Sequence, residues 1–390
     1  LAINLIEAPA LGFILSYFIK FYRIDETNQI GYIFMENDNL PAYLFMSVSV
    51  ALFIGLTVSA EEIIRDQKIR KRESFLNLSN GAYLFSKVLI MFALSAVQTI
   101  TFILVGNTIL GVQDMLVDYW LILFSTACFA NLLGLNISSA FNSAVTIYIL
   151  IPFLLIPQLI FSGVIVKFEE LNPAISSYTK VPIIGEVMAS RWAFEALSVN
   201  QFKNNKYEKL FYQYDKLMSI ANFRKIYLIP ALQAKIGYLE NNMQEESNRE
   251  NVEKHLLVLR NEIRKELKIT SDITFESLDF LTYEKVNKTI LNEVKDYLNR
   301  LRKYYTRMYN YELDQRDQVI NNISKATSPQ ELNQLKLNYS NSSLTSLVTD
   351  ETELNRIIEI DGELIQQQDP IFKDASGIRG HFYAPRKQIF

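Results

Sequence analysis

The chain has 390 residues, 49% hydrophobic and 21% charged, with a formal net charge of −3. That balance offers no clustered basic face of the kind nucleic-acid binding requires. Its lone cysteine, Cys128, excludes an intrachain disulfide or thiolate cage, and His255 and His381 lie far apart in sequence without paired ligands, so no metal is expected.

These averages conceal a composite. Up to about Val166 the chain is almost continuously apolar, and beyond it Lys, Glu, Asn, Gln and Tyr dominate. It starts at Leu1 inside an apolar run, which reads as a piece of a longer protein. The run is too closely followed by others to be a cleaved signal peptide.

The first expected span is Ile3–Phe21, interrupted by Glu7 and Pro9, and a polar connection, Arg23–Asn39, follows it. Ala42–Ala60 and Val88–Val112 carry no charge. About 20 residues at about 1.5 Å rise cross a hydrocarbon layer of about 30 Å, so both read as spans. Between them Arg65, Lys68, Arg70, Lys71 and Arg72 crowd together, with Glu61, Glu62, Asp66 and Glu73 among them. Mixed charge without Gly or Pro predicts a solvated amphipathic helix over Glu61–Glu73, broken at Asn80-Gly81. Clustered cations near span ends stay in the cytoplasm, and Lys87 can snorkel to the same interface. Tyr119–Ile137 is the fourth span and Ala144–Val166, with Pro152 and Pro157, the fifth; Ser138–Ser143 is a small turn between them. The two connections thereby placed outside, Arg23–Asn39 and Gly111–Asp118, hold one base, Arg23, and everything after Lys167 falls outside the cytoplasm.

Residues 167–202 read as a re-entrant or interfacial segment with one short helix over Gly185–Leu197. They are too short and too charged (Glu186, Arg191, Glu195) to span. Residues 203–390 read as a hydrophilic helical insert. Val252–Leu267 and Tyr283–Lys325 carry apolar stripes at helical spacing, the second through Val286, Ile290, Val294, Leu298, Leu301, Tyr305 and Met308. Such stripes predict packing in a core, with a long coiled coil as the second reading. Ser328-Pro329-Gln330-Glu331 carries a helix-start signature, Asn341–Ser346 reads as a Ser-rich linker, and 366–390 as an irregular return segment.

Signatures of a P-loop, GxSxG, HExxH or CxxC are missing, so no catalytic site is expected here. What remains is polar groups at membrane depth: Glu7, Gln98, Asn107, Asn131, Asn136 and Gln158. Each is either a functional candidate or, for the amides, an interhelical hydrogen-bond partner worth about 0.6–2 kcal/mol.

Four pieces in order then resemble the membrane domain of ABCG-type (White/pigment subfamily) ABC exporters: Glu62-Ile-Ile-Arg65 with Arg72-Glu73; Gly81-Ala-Tyr83 with Ser86-Lys87; Phe161-Ser162-Gly163; and Arg191-Trp-Ala-Phe-Glu195-Ala-Leu197 with Asn200 and Phe202. The resemblance covers about Leu1 to Phe202. It implies an all-α membrane protein: five transmembrane helices (1–166) of a six-span ABC exporter permease domain, plus a helical extracytoplasmic insert. It further implies a second permease copy as partner and a cytoplasmic ATPase domain that binds ATP and is absent from this chain, as is the final span expected after Phe390. Carried over, Arg65, Arg72, Glu73, Tyr83 and Lys87 would couple to the ATPase domain. Gln158, Phe161 and Ser162 would border the translocation path. An Asn- and Lys-rich composition with many Ile and Tyr suggests a bacterium with an AT-rich genome, hence an inner membrane; in a eukaryote, sequons such as Asn287-Lys-Thr289 would instead be glycosylation candidates. The insert, which replaces a short loop, is not covered by the resemblance and could meet an extracytoplasmic protein. The rival reading is a multispan sensor or scaffold whose external helical domain binds a ligand or partner.

Overall fold

The computed structural model describes residues 2–22, 31–72, 79–141, 143–166, 168, 171–172, 181–270, 272–326, 328–350 and 355–372. It is all-α apart from one two-stranded hairpin and divides into two compact units. The first comprises Leu1–Lys209 with Pro329–Val348, and the second Leu210–Ser328 with Thr349–Gln388.

The apolar runs of the first unit fold as helices α1 (Ala2–Ile19), α2 (Leu40–Ser59), α4 (Asn80–Leu110), α5 (Leu116–Ala140) and α6 (Ala144–Ile160), with the charged α3 (Glu62–Arg72) between α2 and α4. Three helical stretches, Leu40–Gln67, Asn80–Leu110 and Leu116–Ala140, are long and apolar enough to cross a membrane; Asn4–Ile19 and Ala144–Ile160 are shorter apolar helices. α1 packs on α4, α2 on α5, and α4 on α5. Lipid tails are as apolar as Leu, so association in a bilayer relies on close backbone approach and interhelical hydrogen bonds. Both are present. A Cβ on Gly55 of α2 would sit 2.7 Å from the Ala127 carbonyl oxygen and the Ala130 Cβ of α5, so glycine sets that helix separation. Gly134 of α5 meets Ser59 of α2 in the same seam.

Most of the membrane-depth amides join neighbouring helices. Gln98 donates to the Asn4 carbonyl (2.8 Å), Asn131 to the Ser95 hydroxyl (2.7 Å), and the Tyr43 hydroxyl donates to Asn107 Oδ1 (3.1 Å). Asn136 instead donates to Leu132 O of its own helix (2.9 Å). The expected fifth span ends earlier than Val166: α6 stops at Ile160 and the chain turns through Phe161–Gly163, with Gly163 at φ 80°.

The segment after it forms two helices where one was expected, α7 (Ile183–Val187) and α8 (Ala189–Asn204), broken by extended backbone at Met188. α8 packs against α2, α5 and α6. The unit is completed from far along the chain by α13 (Pro329–Tyr339) and α14 (Ser342–Thr349). α13 starts at the proline its sequence marks. α14 corrects the linker expectation: Asn341 Oδ1 accepts the Leu344 N–H (2.9 Å) as an N-cap, and Leu344 and Val348 are buried.

In the second unit, α9 (Glu208–Phe223) runs through one π-turn (Arg224–Leu228) into α10 (Ile229–Asn242), followed by α11 (Arg249–Ile269) and α12 (Lys288–Ala326). The stripes of α11 (Val252, Leu256, Leu259, Ile263) and α12 (Ile290, Val294, Leu298, Leu301, Tyr305) enter one core with Leu232, Ile236 and Leu239 of α10. The α12 stripe therefore packs in a core, and the coiled-coil alternative does not hold for it. Buried Glu266 is held by Arg224 Nε of the π-turn (2.8 Å) and the Tyr305 hydroxyl. Strands β1 (Ile357–Ile360) and β2 (Glu363–Gln366) pair antiparallel within the stretch expected to be helical, which corrects that expectation, and their turn rests on α11: Asn261 donates to Gly362 O (2.9 Å) and Glu262 accepts the Leu364 N–H (2.8 Å).

Candidate functional site

The first cluster lies where α3 meets α4. Glu62 and Asp66 are four residues apart and share a face of α3; Tyr83 and Lys87, also four apart, share a face of α4. The structure brings these faces together. Lys87 Nζ sits 2.8 Å from Glu62 Oε2 and 2.7 Å from Asp66 Oδ2, and the Tyr83 hydroxyl donates to Asp66 Oδ2 (3.1 Å). The three charged side chains are 17%, 19% and 24% exposed, so water screens them only in part.

A second attachment comes from α5. The Ser138 hydroxyl accepts the backbone N–H groups of Ile63 (3.0 Å) and Ile64 (3.1 Å), first-turn donors for which the helix's own backbone ladder has no carbonyl. Ile63 is buried. α3 is therefore seated on two different helices, while its far side remains solvated. Arg65 reaches back to Glu61 (3.6 Å) and Glu62 (4.0 Å), and Arg72 is the exposed last residue. Glu73 lies outside the described residues. The arrangement is a charged rod with one face fixed to α4 and α5 and with Arg65, Ile69 and Arg72 exposed.

The second cluster lies at the opposite ends of α2, α5 and α6. Gln158 is buried and bound to α8: the Ser190 N–H donates to its Oε1 (3.2 Å) and the Ser190 hydroxyl to its carbonyl. Ser162 is fully buried; its hydroxyl donates to Leu159 O (2.6 Å) and accepts the Val164 N–H (3.3 Å), which fixes the turn after Phe161. Next to Ser190, Arg191 is fully buried, placed between Glu186 (3.2 Å) and Glu195 (3.5 Å) with its guanidinium 4.3 Å from the Trp192 ring centroid. One buried cation shared by two carboxylates holds α7 and α8 together. The side of α6 turned away from these contacts is open and apolar, through Val145, Ile149, Phe153 and Ile156.

Of the expected residues, Tyr83 and Lys87 come together, Arg65 lies on the same helix as their acidic partners, and Gln158, Phe161 and Ser162 share one turn. Asp66 and Ser138 were not singled out in the sequence. The four-residue step from Glu62 marks Asp66, but nothing local marks Ser138, whose role depends on a helix about 75 residues away. The described residues contain no group of three or more His, Cys, Asp or Glu side chains able to hold a metal.

Residues 4–202 match a family model described as "ABC-2 type transporter". The chain is also similar to "ABC transporter G family member STR" of Medicago truncatula, 24% identical over 174 residues, which is 44% of this chain and 20% of the relative. The match thus spans about a fifth of that protein's length. No solved structure matches the chain.

Proposed function

Because the chain belongs to the ABC-2 type transporter family, by a match that covers residues 4–202, we propose that it is the membrane-spanning part of an ATP-driven, ABCG-type exporter. In this reading a separate cytoplasmic ATPase domain binds ATP and presses on α3. A second permease copy faces the open side of α6, and substrate passes between the copies near Phe161, Ser162 and the Gln158 turn. The observation that carries the reading is the seating of α3. A charge-rich helix fixed to α4 through Lys87 and to α5 through Ser138 can pass a push on its solvated face to two long apolar helices at once.

The cationic patch from Arg65 to Arg72 supports a cytoplasmic α3, and hence a second unit on the far side of a bacterial inner membrane. Arg72→Ala and Glu73→Ala in the full-length protein should lower permease-coupled ATP hydrolysis in proteoliposomes while ATP binding stays intact. Unchanged coupling in both would overturn the assignment. The rival reading is a multispan sensor or scaffold, in which the second unit, with its own core, binds an extracytoplasmic ligand or protein. Thiol labelling of introduced cysteines in α11 from the cytoplasmic side would contradict that placement.

A further inference from the structure

Three connections at one end of the first unit are tied together by a single distant segment, residues 329–348. Asn341 is buried, and its amide donates to the carbonyls of Phe34 and Asn37, both at 2.9 Å, in the link between α1 and α2. Ser342 donates to Met35 O (2.7 Å) and Ser343 to Asp38 O (3.1 Å) in the same link. Tyr339 donates to Asp114 Oδ2 (2.8 Å) in the turn between α4 and α5. Lys206, just after α8, bonds the same carboxylate (2.6 Å) and the Tyr339 hydroxyl (3.2 Å), and Ser340 donates to Glu208 (3.1 Å).

The tied connections also bond one another: the Tyr32 hydroxyl donates to Leu110 O (2.6 Å) and accepts from Asn37 (3.2 Å), while Asn39 donates to Ile19 O (3.2 Å). Asp114 holds a left-handed backbone, φ 59°, which for a residue other than glycine costs energy unless its surroundings fix it. Lys206 and Tyr339 supply that fixing.

We infer that residues 329–348 form a strap that holds the ends of α1, α2, α4 and α5 in one arrangement and must loosen each time the permease changes state. The strap is a regulatory device because both of its ends continue covalently into the second unit, at Ser328 and at Thr349. A partner that bends or stiffens the second unit pulls on the strap through the chain itself. The inference rests on the exporter reading, since it needs a cycle of states to act on.

Its test is a reversible lock, Met35→Cys with Ser342→Cys in a Cys128→Ala background, in the full-length protein with its ATPase domain. Oxidation should lower ATP hydrolysis by about tenfold, within the range of allosteric couplings, and dithiothreitol should restore it. ATP with vanadate should slow formation of the disulfide, and Asn341→Ala should slow it further. An oxidised protein that hydrolyses ATP within about twofold of its reduced form would overturn the inference, because a shift that small is below ordinary coupling energies. The bond seen here runs from the Ser342 side chain to the Met35 backbone, so a pair that does not oxidise is spanned with a short bis-maleimide instead, and hydrolysis within about twofold of the unlinked protein would then overturn the inference. The exporter reading fails separately, and takes the strap with it, if the reduced parent shows no hydrolysis coupled to the permease.

Discussion

Lys87→Met removes the cation that joins α4 to α3. Lys87 makes two charge-assisted hydrogen bonds, 2.8 Å to Glu62 and 2.7 Å to Asp66. Such bonds are worth about 1.5–3 kcal/mol each when well buried. Side chains here are 17–24% exposed, so screening takes part of that away. Two carboxylates left side by side without a counterion add repulsion in the opposite direction. A net loosening of about 2 kcal/mol is a reasonable centre, equivalent to about a thirtyfold rise in the open population of α3. The assay is thiol labelling at Ile63→Cys, a buried position of α3, in a Cys128→Ala background. Lys87→Met should raise the labelling rate about thirtyfold, on the same conversion of free energy to population. Adding Asp66→Asn should recover part of the loss, because the second substitution removes an orphaned charge. A rate within twofold of the parent, or a double mutant worse than the sum of both, would refute the electrostatic account of how α3 is held.

Arg191→Leu should be more damaging, by about 3–5 kcal/mol, because it leaves Glu186 and Glu195 facing each other without their buried cation; yield of monodisperse protein in detergent reads this, and Glu195→Gln in the same chain should recover part of it. Gly55→Ala should cost about 1–3 kcal/mol by forcing α2 off α5. The control is Gly237→Ala in α10, where a Cβ meets nothing within 4 Å and the helix gains about 0.5–1 kcal/mol; thermal midpoints should move in opposite directions. In the second unit, burial and the Lys235 ammonium push His255 below its ordinary 6.5, with Glu359 opposing; Lys235 Nζ is 3.3 Å from its ring and the Tyr238 ring centroid 4.5 Å away. The folded state therefore resists taking up a proton that the unfolded chain accepts, so stability is full above about pH 6.5 and falls as pH drops below it. Amide exchange in α10 and α11, corrected for intrinsic rates, should quicken between about pH 7.5 and 5.5, and His255→Gln should flatten that change.

The apolar helices were legible because their signal is one of length: an uncharged run must satisfy every backbone group within itself, so α2 and α5 begin and end within a few residues of the runs that predict them, whereas α4 ends on its run but starts at Asn80, eight residues before it, where a break was expected. The α11 and α12 stripes were legible for a related reason, a repeat that only a helix resolves into one face. α14 was not. Its serines read as a linker, and what makes it a helix is the Asn341 cap together with burial of Leu344 and Val348, which depend on tertiary contacts. The break at Met188 was equally hidden, since Gly185 and Glu186 fit one helix as well as two by spacing alone. At the candidate site, the four-residue steps Glu62–Asp66 and Tyr83–Lys87 are visible in sequence. That one step meets the other is a fact about packing, as is the meeting of Asp114 with Lys206 and Tyr339.

The hairpin of the second unit has a consequence for how that unit is made. Its strands reach α10 and α11 through Lys235–Glu359, Lys265–Glu363 and the Glu262 carboxylate, yet they leave the ribosome only after α13 and α14, which belong to the other unit. A nascent second unit therefore exposes Lys235 and Glu262 until the last stretch of chain arrives. Excising it as one continuous piece, Leu210–Ser328, would reproduce that unfinished intermediate.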